Sequence, residues 1–390
     1  MKSLFLYRGR LDKAVLAMFV AINIMVLFNA IFHDPIVGYD SFDHLNYIKT
    51  MPYQLPTEVD TREYYSPPLP YLFPSIVHKL CGLFTDFDCI FVAGKTAQFI
   101  NVLLSLGITV VFLRISELLK PNDRWYKLSA LLLLGVETVY YRTFSQVRGE
   151  PYVAFFVTCL IYLVLILIKD RQTLKPAFGI MLGVVMGLLI LSSQWGILSF
   201  PAIIVLFLTI CFHQKSIDLK LTKILGLAFI VAFFVGGWFY VHLRLSYGSF
   251  TPFSLESNGF SLSNQPLSFY RHTGLKNFEI FKKPIRRNFD NQFIPIMYSD
   301  TWGDYWGYFT FIKLKSPYGE NENSGEIGPY LGRVNFVSLL PSIIMFFGIL
   351  LGVFSSVRAF ISKNVDTETY FLLFITVALV TSFLALWELP

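Results

Sequence analysis

The stretch Gly38-Tyr39-Asp40-Ser41-Phe42-Asp43-His44-Leu45-Asn46-Tyr47-Ile48-Lys49 concentrates groups able to hold and move protons. Read as a helix, it places Asp40, Asp43, His44 and Tyr47 at i, i+3, i+4 and i+7, on one face. Phe42, Leu45 and Ile48 fall on the other sides, against neighbouring helices or a membrane surface. A carboxylate held this way can act as a general base towards an acceptor hydroxyl, with the imidazole and phenol positioning the substrate or tuning the acid. The competing reading is structural: Asp40 is a competent N-cap, and an acid in the first turn is favoured by the helix dipole.

Other segments carry binding chemistry. Tyr64-Tyr65-Ser66-Pro67-Pro68-Leu69-Pro70 is a rigid turn, because successive prolines fix φ and keep the preceding residue out of a helix. It serves as a membrane re-entry turn, and Tyr64 or Tyr65 could also line a sugar or lipid-phosphate site. Arg142, Arg148 and Glu150 cluster before another apolar run. A guanidinium there matches a phosphate or carboxylate bidentately, or else forms a surface pair with Glu150 or snorkels to headgroups. Phe281-Lys282-Lys283-Pro284-Ile285-Arg286-Arg287, with Arg271 and His272 upstream, reads as a phosphate clamp (Arg286, Arg287) or a headgroup-binding surface. Tyr298-Ser299-Asp300-Thr301-Trp302-Gly303-Asp304-Tyr305-Trp306-Gly307-Tyr308 interleaves aromatic rings with acids. An interfacial aromatic belt would look similar, but the interleaved aspartates favour a carbohydrate wall built on Trp302, Asp304 and Trp306.

The elements that must position these groups are membrane spans. Of 390 residues, 54% are hydrophobic and only 15% charged, against about 25% in soluble proteins, and the mean hydropathy is +0.56. Apolar runs at 14–32, 90–115, 128–144, 151–168, 177–191, 197–212, 224–241, 335–357 and 369–386 predict an all-α integral membrane protein of about nine spans. Basic residues before the first run place the N-terminus in the cytoplasm, and later basic loops alternate accordingly. The first run is long and lacks a small-residue cleavage site, so it is expected to remain as a span. The organisation expected is a transmembrane core over 1–243 with a first outer loop at 33–89, a long outer loop at 244–334, and C-terminal spans over 335–390. Residues 67–84 read as a juxtamembrane helix rather than a span.

Cys159 and Cys211 lie in apolar runs and read as packing residues. Cys81 and Cys89 flank a polar segment; on a non-cytoplasmic side they could form a disulfide. The net charge of +6 sits in short loops, and no basic-aromatic array points to nucleic acid. Nucleotide-binding glycine loops, HExxH and GxSxG motifs are missing, so an activated donor would be lipid-linked. A transporter or flippase is the alternative; it calls for charges deep in the spans, and Lys95, Glu137 and Arg142 lie towards span ends.

The Gly38–Ile48 stretch, followed by Tyr65-Ser66-Pro67-Pro68-Leu69, resembles the GT-C superfamily of polytopic glycosyltransferases, which includes protein O-mannosyltransferases and the aminoarabinose transferases of lipid A. The resemblance covers roughly residues 33 to 75, plus an Arg-x-Glu at Arg148–Glu150. It implies a GT-C-like helical bundle with outer juxtamembrane helices in the cell envelope. Its implied reaction takes sugar from a polyprenyl-phosphate donor to a lipid, glycan or protein acceptor at the non-cytoplasmic face. Asp40 falls at the family's first-loop acid, the catalytic base or orienting group; Ser41 replaces a Glu common in members. His44 and Tyr47 match helix positions of the bacterial branch. No cofactor is required, although a divalent metal on Asp40 and Asp43 is admitted by some members. Many members carry more spans, so the chain is expected to be a compact member or an incomplete gene product.

Overall fold

The computed structural model describes residues 9–38, 40–84, 88–252, 263, 265–271, 280–281, 293–304, 315–316, 319–320, 332–362 and 365–388. The regular secondary structure of the described residues is helical apart from a two-residue antiparallel pairing of Lys315–Ser316 with Gly319–Glu320. Seven helical stretches are long and apolar enough to cross a membrane: Arg10–Phe32, Cys89–Leu119, Glu150–Asp170, Gln194–Gln214, Leu219–Tyr247, Leu339–Ile361 and Thr367–Leu384. In chain order the helices are α1 (Arg10–Phe32), α2 (Ser41–Thr50), α3 (Leu69–Phe84), α4 (Cys89–Leu119), α5 (Arg124–Gly135), α6 (Thr138–Thr143), α7 (Glu150–Asp170) and α8 (Phe178–Ile190). They continue as α9 (Phe200–Gln214, entered by a 3-10 turn), α10 (Leu219–Ala232), α11 (Trp238–Tyr247), α12 (Leu267–Tyr270), α13 (Phe293–Ser299), α14 (Leu339–Ile361) and α15 (Thr367–Glu388).

Two of the nine expected spans are shorter than predicted. The run at 128–144 breaks after Gly135, and a new helix starts behind Glu137 at its N-cap. The run at 177–191 gives the 13-residue α8, about 20 Å at 1.5 Å per residue, against a hydrocarbon core of about 30 Å. α8 is held by backbone proximity: Gly179, Gly183 and Gly187 lie against α10 and the segment after it, where a Cβ at Gly183 would stand 2.5 Å from the Ala228 carbonyl oxygen. Such small-residue stripes let helices approach where solvent exclusion gives little drive. Apolar burial does the rest, with Leu163, Val164, Leu182, Met186, Leu189, Ile203, Leu206, Ile224 and Phe374 forming the main core. A polar knot ties α1, α4 and α6, in which Tyr140 donates to Ser105, Ser105 to Asn23 and Asn23 to Thr109, over 2.7–3.1 Å.

Contacts at the helix ends divide the bundle into two poles. At one, Arg124 pairs with Asp12 at 2.5 Å, Lys127 with Glu117 and Lys120 with Glu368, and Lys220 reaches the Gln172 carbonyl. At the other, Lys95 caps the end of α1 through the Ala30 and His33 carbonyls, and Gln98 reaches the Ser145 carbonyl. There too the Leu69 amide donates to the Leu191 carbonyl, and Tyr64 packs on Tyr247. The α5–α6 pair and α8 are each too short to count among the seven long apolar helices.

Candidate functional site

The site is built at the second pole around α2. That helix begins at Ser41, not Asp40. Asp40 precedes it in the left-handed region (φ 53°, ψ 16°), and its carboxylate makes no capping bond. A left-handed non-glycine residue costs about 1 kcal/mol or more, though aspartate tolerates it better than most. The expectation that Asp40, Asp43, His44 and Tyr47 line one helical face is therefore corrected: Asp40 stands outside the helix, exposed, while His44 and Tyr47 are buried beneath it. The i, i+3 pattern failed at Asp40 because the chain turns there, behind Gly38.

Beneath Asp40 lies an aromatic platform. Tyr71 of α3 stacks on Tyr47 at 4.2 Å between centroids, and its hydroxyl meets His44 Nδ1 at 2.8 Å. His44 is 2% exposed; burial, reinforced by the positive Arg148, holds its imidazole well below the usual value and therefore neutral. The Tyr47 hydroxyl donates to the Ser66 carbonyl at 2.9 Å, and burial pushes its phenol far above the ordinary range. Thr61 Oγ1 donates to the Asp43 carbonyl at 2.8 Å, and the Arg62 amide to Asp43 Oδ1 at 3.4 Å. α2 thus holds down the loop leading to the proline turn, and Asp43 serves as an anchor for that loop.

The cation comes from the turn before α7. Gln98 and Asn101 of α4 fix that turn by donating to the Phe144, Ser145 and Gln146 carbonyls, at 2.6–3.1 Å. Its Gly149 backs onto the Ser192 carbonyl oxygen so closely that a Cβ would stand 2.4 Å away. Arg148 is 8% exposed, and its Nε donates to Glu150 Oε2 at 3.2 Å. Burial opposes its charge, but the carboxylates of Glu150, Glu63 and Asp40 together hold the guanidinium above its ordinary value. Asp40 is raised above the usual carboxylate value, first by loss of water and then by Asp43 and Glu150, against the lowering pull of Arg148 and Arg62. Although Asp40 keeps exposed surface, its carboxyl is hemmed in enough for loss of water to outweigh the guanidinium.

Glu63 belongs to the same cluster and was not singled out from the sequence. Its Oε2 accepts from Ser66 Oγ at 2.5 Å. Loss of water pushes its carboxyl up to about 7, with Asp40 and Glu150 adding to the rise and Ser66 and Arg148 opposing it. The available signal was its place, two residues before Tyr65 and the Pro67-Pro68 turn, where an acid on a short constrained loop has little freedom to leave the turn.

Of the other expected site residues, Tyr65 offers its carbonyl to Gln194 Nε2 at 3.0 Å, while the Tyr64 ring is buried against Tyr247 at 4.8 Å. Trp302 is buried, 3% exposed, as a packing residue would be, and the adjacent Gly303 carbonyl accepts from Arg142. Arg286, Arg287 and Trp306 lie outside the described residues, as does the side chain of Asp304. Cys81 and Cys89 form a disulfide that ties the end of α3 to the start of α4, and Cys159 and Cys211 are free thiols in half-buried positions. Among the described residues no group of three His, Cys, Asp or Glu side chains is gathered to hold a metal ion. Asp40 and Asp43 alone supply two carboxylates, fewer ligands than a hard divalent cation takes from a protein site. Comparison with protein-family models, with curated proteins and with solved structures finds nothing that matches this chain.

Proposed function

We propose that the chain is a GT-C-like glycosyltransferase that moves a sugar from a polyprenyl-phosphate donor to an acceptor hydroxyl at the non-cytoplasmic membrane face. The observation that carries this reading is the convergence of Asp40, Glu63, Arg148 and Glu150, drawn from segments up to 110 residues apart, at one pole of an apolar bundle. A carboxylate raised towards neutrality is a better base near pH 7 than an ordinary one, so Asp40 removes or orients the acceptor proton. Glu150 fixes Arg148 through Nε, and the guanidinium faces the phosphate as negative charge develops on the leaving group. His44, Tyr47 and Tyr71 form the floor.

In this reading the chain crosses the membrane nine times, with α5–α6 and α8 as short crossings and the N-terminus in the cytoplasm. Lysine and arginine pairs gather at the cytoplasmic pole, as the positive-inside bias requires. The Cys81–Cys89 bond lies at the opposite pole, which suits an oxidising compartment.

The test is incubation of membranes with a panel of radiolabelled polyprenyl-phosphate sugars, scoring label transferred to endogenous acceptors. Wild type transfers label, and Asp40→Asn, made to equal abundance, does not. If no donor supports transfer, or if Asp40→Asn transfers normally, the assignment fails. Donor movement across the bilayer that survives Asp40→Asn would support the flippase alternative.

A further inference from the structure

We propose that the cleft between the end of α14 and the start of α15 binds the headgroup of a zwitterionic phospholipid carrying a primary amine, with Arg358 on the phosphate and Glu368 on the ammonium. The inference stands apart from the transferase reading and concerns the opposite pole of the bundle.

The cleft has a volume of about 350 Å³, and its walls include Phe354, Ser355, Arg358, Asp366, Glu368 and Leu372. It belongs to the first pole, because Glu368 pairs there with Lys120 at 2.9 Å. Further into the bundle the two helices touch, where a Cβ at Gly352 would stand 3.7 Å from Leu372 Cδ2. Both helices are long and apolar enough to cross a membrane. The cleft therefore opens where two spans reach the bilayer surface, at the depth of lipid headgroups. Phe354 and Val357, beside Arg358 in sequence, are exposed apolar side chains of the kind that lie against lipid chains.

The charges lining the cleft select the headgroup. Arg358 is exposed and makes no ion pair among the described residues. A guanidinium matches a phosphate bidentately, and the neighbouring Ser355 supplies a hydroxyl donor. Asp366 is spent on capping α15, its Oδ1 accepting from the Thr369 amide at 2.8 Å and the Thr369 hydroxyl at 2.7 Å. Those bonds hold its carboxyl below the usual carboxylate value, so it stays ionised. Glu368 engages Lys120 through Oε1, which leaves Oε2 to accept from a ligand. A simple anion entering here would meet two carboxylates as well as Arg358. A primary ammonium carries three N–H donors, as lysine does, whereas a quaternary ammonium carries none. A phosphate joined to a primary ammonium answers both signs of charge at once.

The test is native mass spectrometry of the full chain in detergent, titrated with phosphatidylethanolamine, phosphatidylcholine and phosphatidylglycerol of matched acyl chains. The ethanolamine lipid should bind about tenfold more tightly than the choline lipid, the scale of one charge-assisted hydrogen bond. Arg358→Gln should weaken both zwitterionic lipids about tenfold. Glu368→Gln should weaken the ethanolamine lipid alone, down to the level of the choline lipid. Lys120→Met breaks the same ion pair but keeps Glu368, and should retain the ethanolamine preference. Lys215→Gln, at an exposed cation beyond α9, should behave as wild type. Equal affinity for the two zwitterionic lipids overturns the inference, as does tightest binding of the glycerol lipid, which would mark an anion-attracting surface only. So does a preference that survives both Arg358→Gln and Glu368→Gln, or one that is lost in Lys120→Met. The lipid ranking is read on wild type, so it decides the matter even where a variant fails to fold.

Discussion

Replacing Arg148 tests whether the cluster is one electrostatic unit. The guanidinium is 8% exposed and its partner Glu150 27%. Arg148→Met keeps the length of the side chain but leaves Glu150, Glu63 and Asp40 facing one another with no cation between them. Breaking a buried pair from one side costs about 3–5 kcal/mol, and the partial exposure of Glu150 lowers this to about 2–3 kcal/mol after solvent screening. Because Glu63 can shed its charge, the cost should be greater near pH 8.5 than near pH 5.5, roughly either side of its raised value of about 7. The double variant Arg148→Met/Glu150→Gln should recover at least about 1 kcal/mol relative to additivity. Unfolding in mixed micelles, titrated with a denaturing detergent, gives these differences. Additive effects within about 0.5 kcal/mol, or a cost of Arg148→Met that ignores pH, would refute the argument.

Three further outcomes are expected. Cys81→Ala/Cys89→Ala releases a bond between residues eight apart, which chain-entropy arguments set at about 2.5 kcal/mol; thiol labelling of denatured, unreduced wild type should find Cys159 and Cys211 alone. Tyr71→Phe strips the hydrogen-bond partner from buried His44 Nδ1 and should cost about 1–3 kcal/mol in the same unfolding assay, part of it recovered by adding His44→Phe. Glu63 has its folded value raised from 4.5 to about 7, so between those pH values the folded state keeps a proton that the unfolded state has released. Stability should fall as pH rises through that window and level off above it, and Glu63→Gln should flatten the slope and be the more stable protein near pH 8 by on the order of 2 kcal/mol.

The membrane character and the long helices were legible because apolar runs of about 20 residues have few other uses. The fate of 128–144 and 177–191 was not. Hydropathy counts carbons and is blind to the restart of the chain at Glu137 or to α8 being held by Gly179, Gly183 and Gly187 against α10. At the site, the pairing of Arg148 with Glu150 could be anticipated from neighbouring positions along the chain, whereas the burial of His44 and Tyr47 ran against the shared face expected for them with Asp40. Glu63 was marked only by its place before the proline turn, and its tie to the cluster comes from Arg148, 85 residues away. Helical spacing also misplaced Asp40: periodicity assumes a helix that begins one residue earlier than it does. Trp302, a residue type suited to sugars, is buried, which spacing alone did not indicate.

The charge balance of the cluster narrows what its chemistry can be. Asp40, Glu63 and Glu150 act on the buried Arg148, with Asp43 and Arg62 acting on Asp40. A pocket meant only to hold a phosphate would place more cations than acids there. A pocket that must also receive a proton needs acids whose values are already raised, and Asp40 and Glu63 both are. Transfer from a phosphodiester to a hydroxyl has that double demand: the acceptor loses a proton as the departing phosphate gains negative charge. In the proposed transfer, Arg148 would serve the second demand and Asp40, backed by Glu63, the first. The acid excess is therefore an argument for group transfer over simple anion capture, and it makes removal of Glu63's charge the change most able to separate binding from turnover. Glu63→Gln should hold the phosphate at least as well as wild type at neutral pH while leaving Asp40 without a neighbour to share the proton, so a variant that binds the donor but transfers slowly is the expected phenotype in the radiolabel assay.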